Sequence, residues 1–504
     1  MSAPSAAGIE LQASAGGESH PPSSLQVDEK GPYMNQLAIS PVLLCTGAAL
    51  TYSISQPCFA QSQPWPPPYA VFELSPLGGE HSQGWDVSER GDVIGGAFLP
   101  SNVFHATVWR DGQSPIDLGT LGGELSECRG INSNGWIVGK AQAPGQTGYD
   151  NSAFLWRNGQ MINLGYLADG DFSEAYGIND LNQIVGWSSL DTSSFPVYRA
   201  FIWQNGVMSE LPITGEFRSS EAIAINNAGL IVGQASSWEH GWRPVVWENG
   251  QIIDLGTFRP DNGGVGICID CNELNDVVGY TAREDYFTYQ AFIYRDGVVE
   301  PLPEKRRWRN SYAWSINDSR EIVGACRVVE QFGNEDIGCI WQWQQPPQYL
   351  HDLIPPKSNW FIGSAIHNND AGQITGTGVR VDNPDYTKGY LLTPVHPTME
   401  LSEPSPGLVN ADNTLTVTGA TPGSRVTFIY SRHGGGTAIP GCTLQTNCLQ
   451  LDAPKIIGRV TADENGTASV TAFVPRIATG ETVLIQAFVR SECAISQLVV
   501  HQFE

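Results

Sequence analysis

The amino-acid sequence predicts an all-β protein, a seven-bladed β-propeller followed by a small immunoglobulin-like β-sandwich. Three observations lead there. An Ile/Val-Val-Gly signature returns seven times at intervals of 44 to 52 residues, the length of one four-stranded propeller blade. The 504 residues include 55 Gly and 33 Pro, and only 16% are charged, a composition that suits short strands joined by turns. No long stretch combines helical periodicity with i,i+4 charge pairing.

The signature glycines are Gly95, Gly139, Gly186, Gly233, Gly279, Gly324 and Gly376. Each copy divides into four strands. The first reads like Ser173–Asn179 and alternates small residues: Ser126, Cys128, Gly130; Ser173, Ala175, Gly177; Ser220, Ala222, Ala224. Innermost propeller strands crowd together, so these small side chains are expected to face the axis. A turn such as Asn179-Asp180-Leu181-Asn182 or Asn226-Asn227-Ala228-Gly229 follows. Its first Asn caps the turn, and its last position requires positive φ, which Gly and Asn tolerate and Arg320 in the sixth copy does not favour. The second strand carries the signature. The third is aromatic, as in Ala153-Phe154-Leu155-Trp156 and Ala200-Phe201-Ile202-Trp203, with residues two apart sharing a face. Asn-Gly or Asp-Gly pairs (158–159, 205–206, 249–250, 111–112, 296–297) then mark tight hairpins into the fourth strand, Ile116–Gly119 or Ile162–Gly165.

The ends of the repeat region complement one another. Residues 70–74 read as an isolated fourth strand, and the seventh copy stops after its third, Gly389–Thr393. Pairing of the two would close the ring and remove two exposed edges. The propeller is thereby assigned to residues 61–395 and the sandwich to 396–504. Pro394–Pro406, with four prolines, reads as a linker. In the sandwich the alternating runs Leu415–Thr418, Arg425–Tyr430, Ser469–Val474 and Val483–Val489 predict strands, and Asp463-Glu464-Asn465-Gly466 a hairpin turn.

Residues 1–33 read as a disordered or mis-assigned extension and 34–60 as a bacterial signal peptide, with the small-residue pattern Cys58-Phe59-Ala60 at the cut. Secretion to the extracellular space or cell envelope follows. Eight cysteines would remain in an oxidising compartment. Cys326 and Cys339 flank one loop on neighbouring strands and form the first candidate disulfide. The pairing of Cys442, Cys448 and Cys493 stays open, and Cys268-Ile-Asp-Cys271 falls on a strand with no companion pair at zinc spacing. A formal charge of −25 disfavours nucleic acid and anionic membranes as partners. The mature chain is expected to be a monomer without an integral membrane segment.

The Asp117-Leu-Gly-Thr-Leu-Gly-Gly123 stretch, the Gly-Ile-Asn turns, the Ala-Phe-Leu-Trp strands and His105-Ala106 resemble the probable extracellular repeats of the HAF family. The resemblance spans about residues 70–395. It implies the repeat architecture and brings no catalytic residues with it.

Two candidate sites emerge. The longer connections share one face of the disc, where loops on a rigid scaffold carry recognition. Trp238, His240, Trp242, Tyr286, Phe287, Tyr289, Trp360 and the basic run Lys305-Arg306-Arg307-Trp308-Arg309 lie there as stacking and anion-binding groups. At the axis, Asp86, Asp270 and His367 replace the small fifth residue of the first strand, and could bind a cation or polar ligand. Against both stands the ordinary reading, that such side chains cover blade edges or line a hydrated channel. Nucleophile-elbow, zinc-protease, phosphate-loop and dinucleotide motifs are missing, and no cofactor is implied. The expectation is a non-catalytic binding or scaffold protein for an extracellular glycan or protein. The alternative is a propeller glycoside hydrolase or lyase that uses loop-face or channel carboxylates.

Overall fold

The structure, a computed structural model, describes residues 66–504 except 111–113, 148–149, 169, 191–196, 240, 260–263, 286–287, 329–335 and 443–447. The expected signal segment therefore lies outside the described residues, as does the 111–112 hairpin turn. Among the described residues there is no α-helix, and no helix is long and apolar enough to cross a membrane.

Seven four-stranded antiparallel sheets succeed one another along the described chain. Their first strands are Ser82–Val87, Ser126–Ile131, Ser173–Ile178, Ser219–Ile225, Gly266–Cys271, Trp308–Ile316 and Trp360–Asn368. Each first strand touches that of the next sheet, and the last touches the first. The sheets thus surround a common axis with their first strands innermost, the arrangement of a β-propeller. The seventh sheet is composite, in the order Trp360–Asn368, Ile374–Arg380, Asn383–Pro394, Tyr69–Leu74. Ala70 stands opposite Thr393 and Leu74 opposite Gly389, the closure that the incomplete ends call for.

The signature glycine has a steric cause. In the fourth sheet the register slips by one residue between Ala222 and Ala224, a β-bulge, while Ala222 faces Gly233. The Glu221 carbonyl then overhangs Gly233 so closely that a Cβ there would stand 2.0 Å from its oxygen. Gly139, Gly186, Gly279, Gly324 and Gly376 meet the corresponding carbonyl at 1.9–2.0 Å, and Gly95 at 1.9 Å. Bulge and glycine form one device, repeated seven times.

The turn asparagines do more than cap. The Oδ1 of Asn226 accepts from the Leu230 amide at 3.0 Å, the expected cap, while its Nδ2 donates to the Asn272 carbonyl of the next sheet at 2.9 Å. The same tie runs from Asn132 to Asn179, Asn179 to Asn226, Asn272 to Asn317, Asn317 to Asn369 and Asn369 to Ser88. Arg320 does adopt positive φ, 61°, and its guanidinium holds the buried Asp276 at 2.6 Å. Asn158-Gly159, Asn205-Gly206, Asn249-Gly250 and Asp296-Gly297 all have both φ positive, as type I′ hairpins demand.

One expectation is corrected. The small first and third residues of the inner strands do not face the axis. They are buried between sheets, while Glu127 and Arg129 in the second sheet and Tyr176 in the third are partly open. Neighbouring sheets press together closely enough that a Cβ on Gly130 would lie 2.7 Å from the Tyr176 carbonyl. Crowding selects small side chains between the blades and leaves room for large ones in the channel.

After the propeller, Glu400–Leu401, Ala411–Thr418 and Ala468–Val474 form one sheet. Arg425–Ser431, Lys455–Thr461, Thr482–Val489, Ala494–Ile495 and Val499–Gln502 form another. Leu415 and Val417 of the first share a core with Val426, Phe428, Ile485 and Ala487 of the second. The Asp463–Gly466 turn carries the chain from one sheet to the other, so it does not close a hairpin as expected. The segment expected to be a linker contributes the Glu400–Leu401 strand. A third element, the hairpin Gly434–Ala438 with Cys448–Leu451, lies against the closing strand Tyr69–Leu74. Gly436 packs on the Phe72 ring, the Gln450 amide reaches the Tyr69 carbonyl at 3.4 Å, and Leu449 and Leu451 join Ala70 and Leu74 in one apolar cluster.

The formed disulfide is Cys442–Cys493. Cys326 and Cys339 lie on paired strands, two residues apart in register, with their buried sulfurs 2.7 Å apart, side by side as the expected pair although no bond joins them. Cys268 and Cys271 are also free and buried on a strand, and burial raises both thiols well above the usual range, which suppresses thiolate chemistry.

Two substitutions test this account by urea denaturation of the full chain. Gly233→Ala is expected to cost about 3 kcal/mol, because either the bulge or the partner strand must move. Asn226→Asp preserves the cap acceptor but removes the tie donor. It is expected to cost about 2 kcal/mol, as much as Asn226→Ala; a neutral Asn226→Asp would show that capping alone explains the residue.

Candidate functional site

The inner strands enclose an axial cavity of about 460 Å³. Their alternation sorts its walls into tiers. Counted from Ser126 and its equivalents Ser82, Ser173, Ser220, Gly266, Ser311 and Gly363, the second residue lies nearest the long loops, the fourth lies deeper, and the fifth, displaced by the bulge, lies nearest the asparagine turns.

In the upper tier, Glu127, Glu174 and Glu221 stand on three successive sheets. Arg129, from the fourth position, reaches Glu174 at 2.7 Å and Glu127 at 3.3 Å, and Lys140 reaches Glu174 at 3.3 Å and Glu127 at 3.5 Å. The Arg129 guanidinium also faces Trp85 at 4.9 Å and Tyr176 at 5.4 Å. Glu221 differs: its carboxylate accepts from the Gln234 amide at 2.7 Å. Burial raises its pKa, the Gln234 hydrogen bond lowers it, and the nearby charge of Glu174 raises it further.

Tyr280 and Trp314 line one wall of the cavity, and ring contacts join them to Tyr289 and Tyr312. Tyr289 and Tyr280 meet edge to face at 5.4 Å, Tyr280 and Tyr312 at 5.0 Å, and Tyr312 stacks on Trp314 at 5.8 Å. The indole N–H groups of Trp85 and Trp314 are buried and lack a hydrogen-bond partner among the described residues. Buried donors are ordinarily satisfied, so two open ones on the wall of a cavity are notable.

The lower tier brings the three departing residues together. His367 Nδ1 lies 2.9 Å from Asp86 Oδ1, and Nε2 lies 4.0 Å from Asp270 Oδ2. Asp86 also accepts from the Ile131 amide at 2.9 Å, while Asp270 accepts from Ser315 Oγ at 2.7 Å and the Ile316 amide at 3.1 Å. Burial disfavours the imidazolium, but Asp86, through charge and hydrogen bond, and then Asp270 and Glu89, outweigh it and raise His367 to about 9. Burial pushes Asp270 up, opposed by His367 and its three hydrogen-bond donors. The trio braces the turn-side end of the channel.

The loop-face candidates fare unevenly. Trp238 is 84% exposed, with the Arg218 guanidinium 4.4 Å over its ring, and Trp242 is half-buried. Arg306 and Arg307 are exposed. Trp308 and Trp360 are corrected to core residues, 8% and 7% exposed: Trp308 packs on Trp341 and donates to the Tyr349 hydroxyl, and Trp360 packs on Tyr390. Tyr289 belongs to the aromatic cluster. His240, Tyr286 and Phe287 lie outside the described residues. The sequence reading missed Trp85, Arg129, Glu174, Tyr176, Glu221, Tyr280 and Trp314. For all but Tyr280, which follows the signature glycine on a second strand, the signal was the large half of the same alternation from which the small half was read.

No protein-family model and no curated protein matches the chain. Similar solved structures include the β-propeller domain of the Trilobed protease from Pyrococcus furiosus, at 12% identity and TM-score 0.36, covering 54% of this chain and 84% of that one. PorZ, a bacterial surface component of the type-IX secretion system of Porphyromonas gingivalis, is similar at 10% identity and TM-score 0.40, covering 83% of this chain and 59% of that one. The Aleuria aurantia lectin follows at 9% identity and TM-score 0.33, covering 56% and 94%. No activity passes to this chain from these likenesses.

His367 gives a pH test. Its folded-state value lies above the ordinary 6.5, so its contribution is complete below pH 6.5 and is lost as pH rises through about 9. A rise of that size is worth at most about 3 kcal/mol. The stability difference between the protein and His367→Asn, from urea unfolding, is expected to be largest near pH 6.5 and to shrink towards pH 10.

Proposed function

We propose that the chain is a secreted, non-catalytic binding protein of the HAF-repeat type. In this reading seven blades form the propeller, an immunoglobulin-like domain follows, and an extracellular glycan is taken in the axial channel. The observation that carries the binding site is the aromatic cluster from Tyr289 through Tyr280 and Tyr312 to Trp314, ending beside carboxylates and unpartnered indole N–H groups. Aromatic faces stack on the apolar faces of pyranose rings, and fixed donors and acceptors around them read hydroxyl groups. The seven repeat glycines and the ring of asparagine ties support the blade count. The end of the repeat at Pro394 and the two sheets sharing a core support the separate sandwich.

An enzymatic reading, as a glycoside hydrolase or lyase, has one observation in its favour. Glu174 and Glu221 stand on successive sheets in unlike surroundings, the first buried and held by cations, the second half-buried with its proton affinity raised. Such divergence separates acid from base in paired-carboxylate sites.

A glycan array followed by calorimetry on the full chain tests both readings. Trp314→Ala and Tyr280→Ala are each expected to weaken the selected glycan at least tenfold, with thermal unfolding little changed. Turnover of a bound glycan that disappears in Glu174→Gln would establish the enzyme instead.

A further inference from the structure

We propose that Glu221 is the counter-ion for an ammonium group, so that the glycan taken in the axial channel carries a free amine, as a de-acetylated amino sugar does. The inference rests on the glycan reading of the same chamber and adds its charge.

Of the three upper-tier carboxylates Glu221 lines the cavity, and the other two are already neutralised. Glu127 and Glu174 share Arg129 and Lys140 at 2.7–3.5 Å. For Glu221 the neighbour within reach is the neutral amide of Gln234 at 2.7 Å, and no ion pair of this residue occurs among the described residues. An unpaired carboxylate inside protein is costly, and either a proton or a bound cation relieves that cost.

The surroundings of Glu221 suit an organic cation. The sheet before it contributes Tyr176 and Tyr198, both close enough to feel its charge. The sheet after it contributes Tyr280, and the next one Trp314, on the wall of the same cavity. The negative faces of aromatic rings attract ammonium groups, and a half-buried carboxylate among them supplies the full counter-charge. Arg129 shows that this environment already holds one cation between aromatic rings and carboxylates. A formal charge of −25 on the chain raises the local concentration of cationic ligands around the channel. A neutral sugar would hydrogen-bond to Glu221 but leave its charge uncompensated.

Calorimetry on the full chain, with a glucosamine tetrasaccharide and its fully N-acetylated counterpart, tests the assignment. The expected result is at least tenfold tighter binding of the free amine, with the difference abolished in Glu221→Gln. Raising NaCl from 0.05 to 0.5 M should weaken the amine form and leave the acetylated form unchanged, a readout that needs no variant. Equal affinity for the two forms, or a preference that survives in Glu221→Gln, overturns the counter-ion role while the glycan reading stands. Binding of neither form, with no hit on the array, overturns both.

Discussion

The fold depends on a buried asparagine amide that crosses from one sheet to the next. At each tie the side chain caps its own turn through oxygen and holds the neighbouring turn through nitrogen, as Asn179 does with Gln183 and Asn226. A carboxylate or hydroxyl of similar size supplies the first bond and not the second. Because the ties lie where the inner strands end, they set how far each sheet stands from the axis, and so the width of the channel. The first copy has Ser88 in place of asparagine, and there the Asp86 carboxylate takes the Ile131 amide of the second sheet. That substitution introduces a buried charge, which His367 balances from the seventh sheet. The scaffold's one irregular joint and the polar end of the channel are therefore the same structure.

Closure of the ring adds a second layer. The strand that completes the seventh sheet comes from the beginning of the described chain, and its outer side receives the hairpin of the following domain. Leu449 and Leu451 cover Ala70 and Leu74, and Gly436 makes room for Phe72. An exposed outer strand is a site of unwanted pairing and fraying. Here the downstream domain covers it, which gives that domain a mechanical role whatever else it binds.

Chemistry in the channel follows from where bulk is permitted. Between sheets the backbones press so close that a Cβ on Gly130 or Gly177 would lie 2.7 or 3.0 Å from the next sheet's backbone, which excludes all but the smallest side chains, whereas alternate residues of the same strands open into free space. A strand such as Ser126–Ile131 thus packs Cys128 in the dark and presents Glu127 and Arg129 to the cavity. The bulge turns the fifth residue towards the axis as well, which is why Asp86, Asp270 and His367 can meet.

Periodicity alone determined the repeat, the strand order within each sheet, the type I′ hairpins, the positive-φ turn position and the pairing of 70–74 with 389–393. Each of these is set by residues close in sequence, or by the count of strands at the two chain ends. The convergence of Asp86, Asp270 and His367 was also legible, because repeats superpose equivalent positions at one axis. Only the tertiary structure decided which half of the inner-strand alternation faces that axis, since period two names two faces without saying which is crowded. It also decided that Trp308 and Trp360 are core, that Cys442 pairs with Cys493, and that Glu221 stands apart from its paired neighbours. Those outcomes depend on distances between sheets, and spacing along a chain carries no record of them.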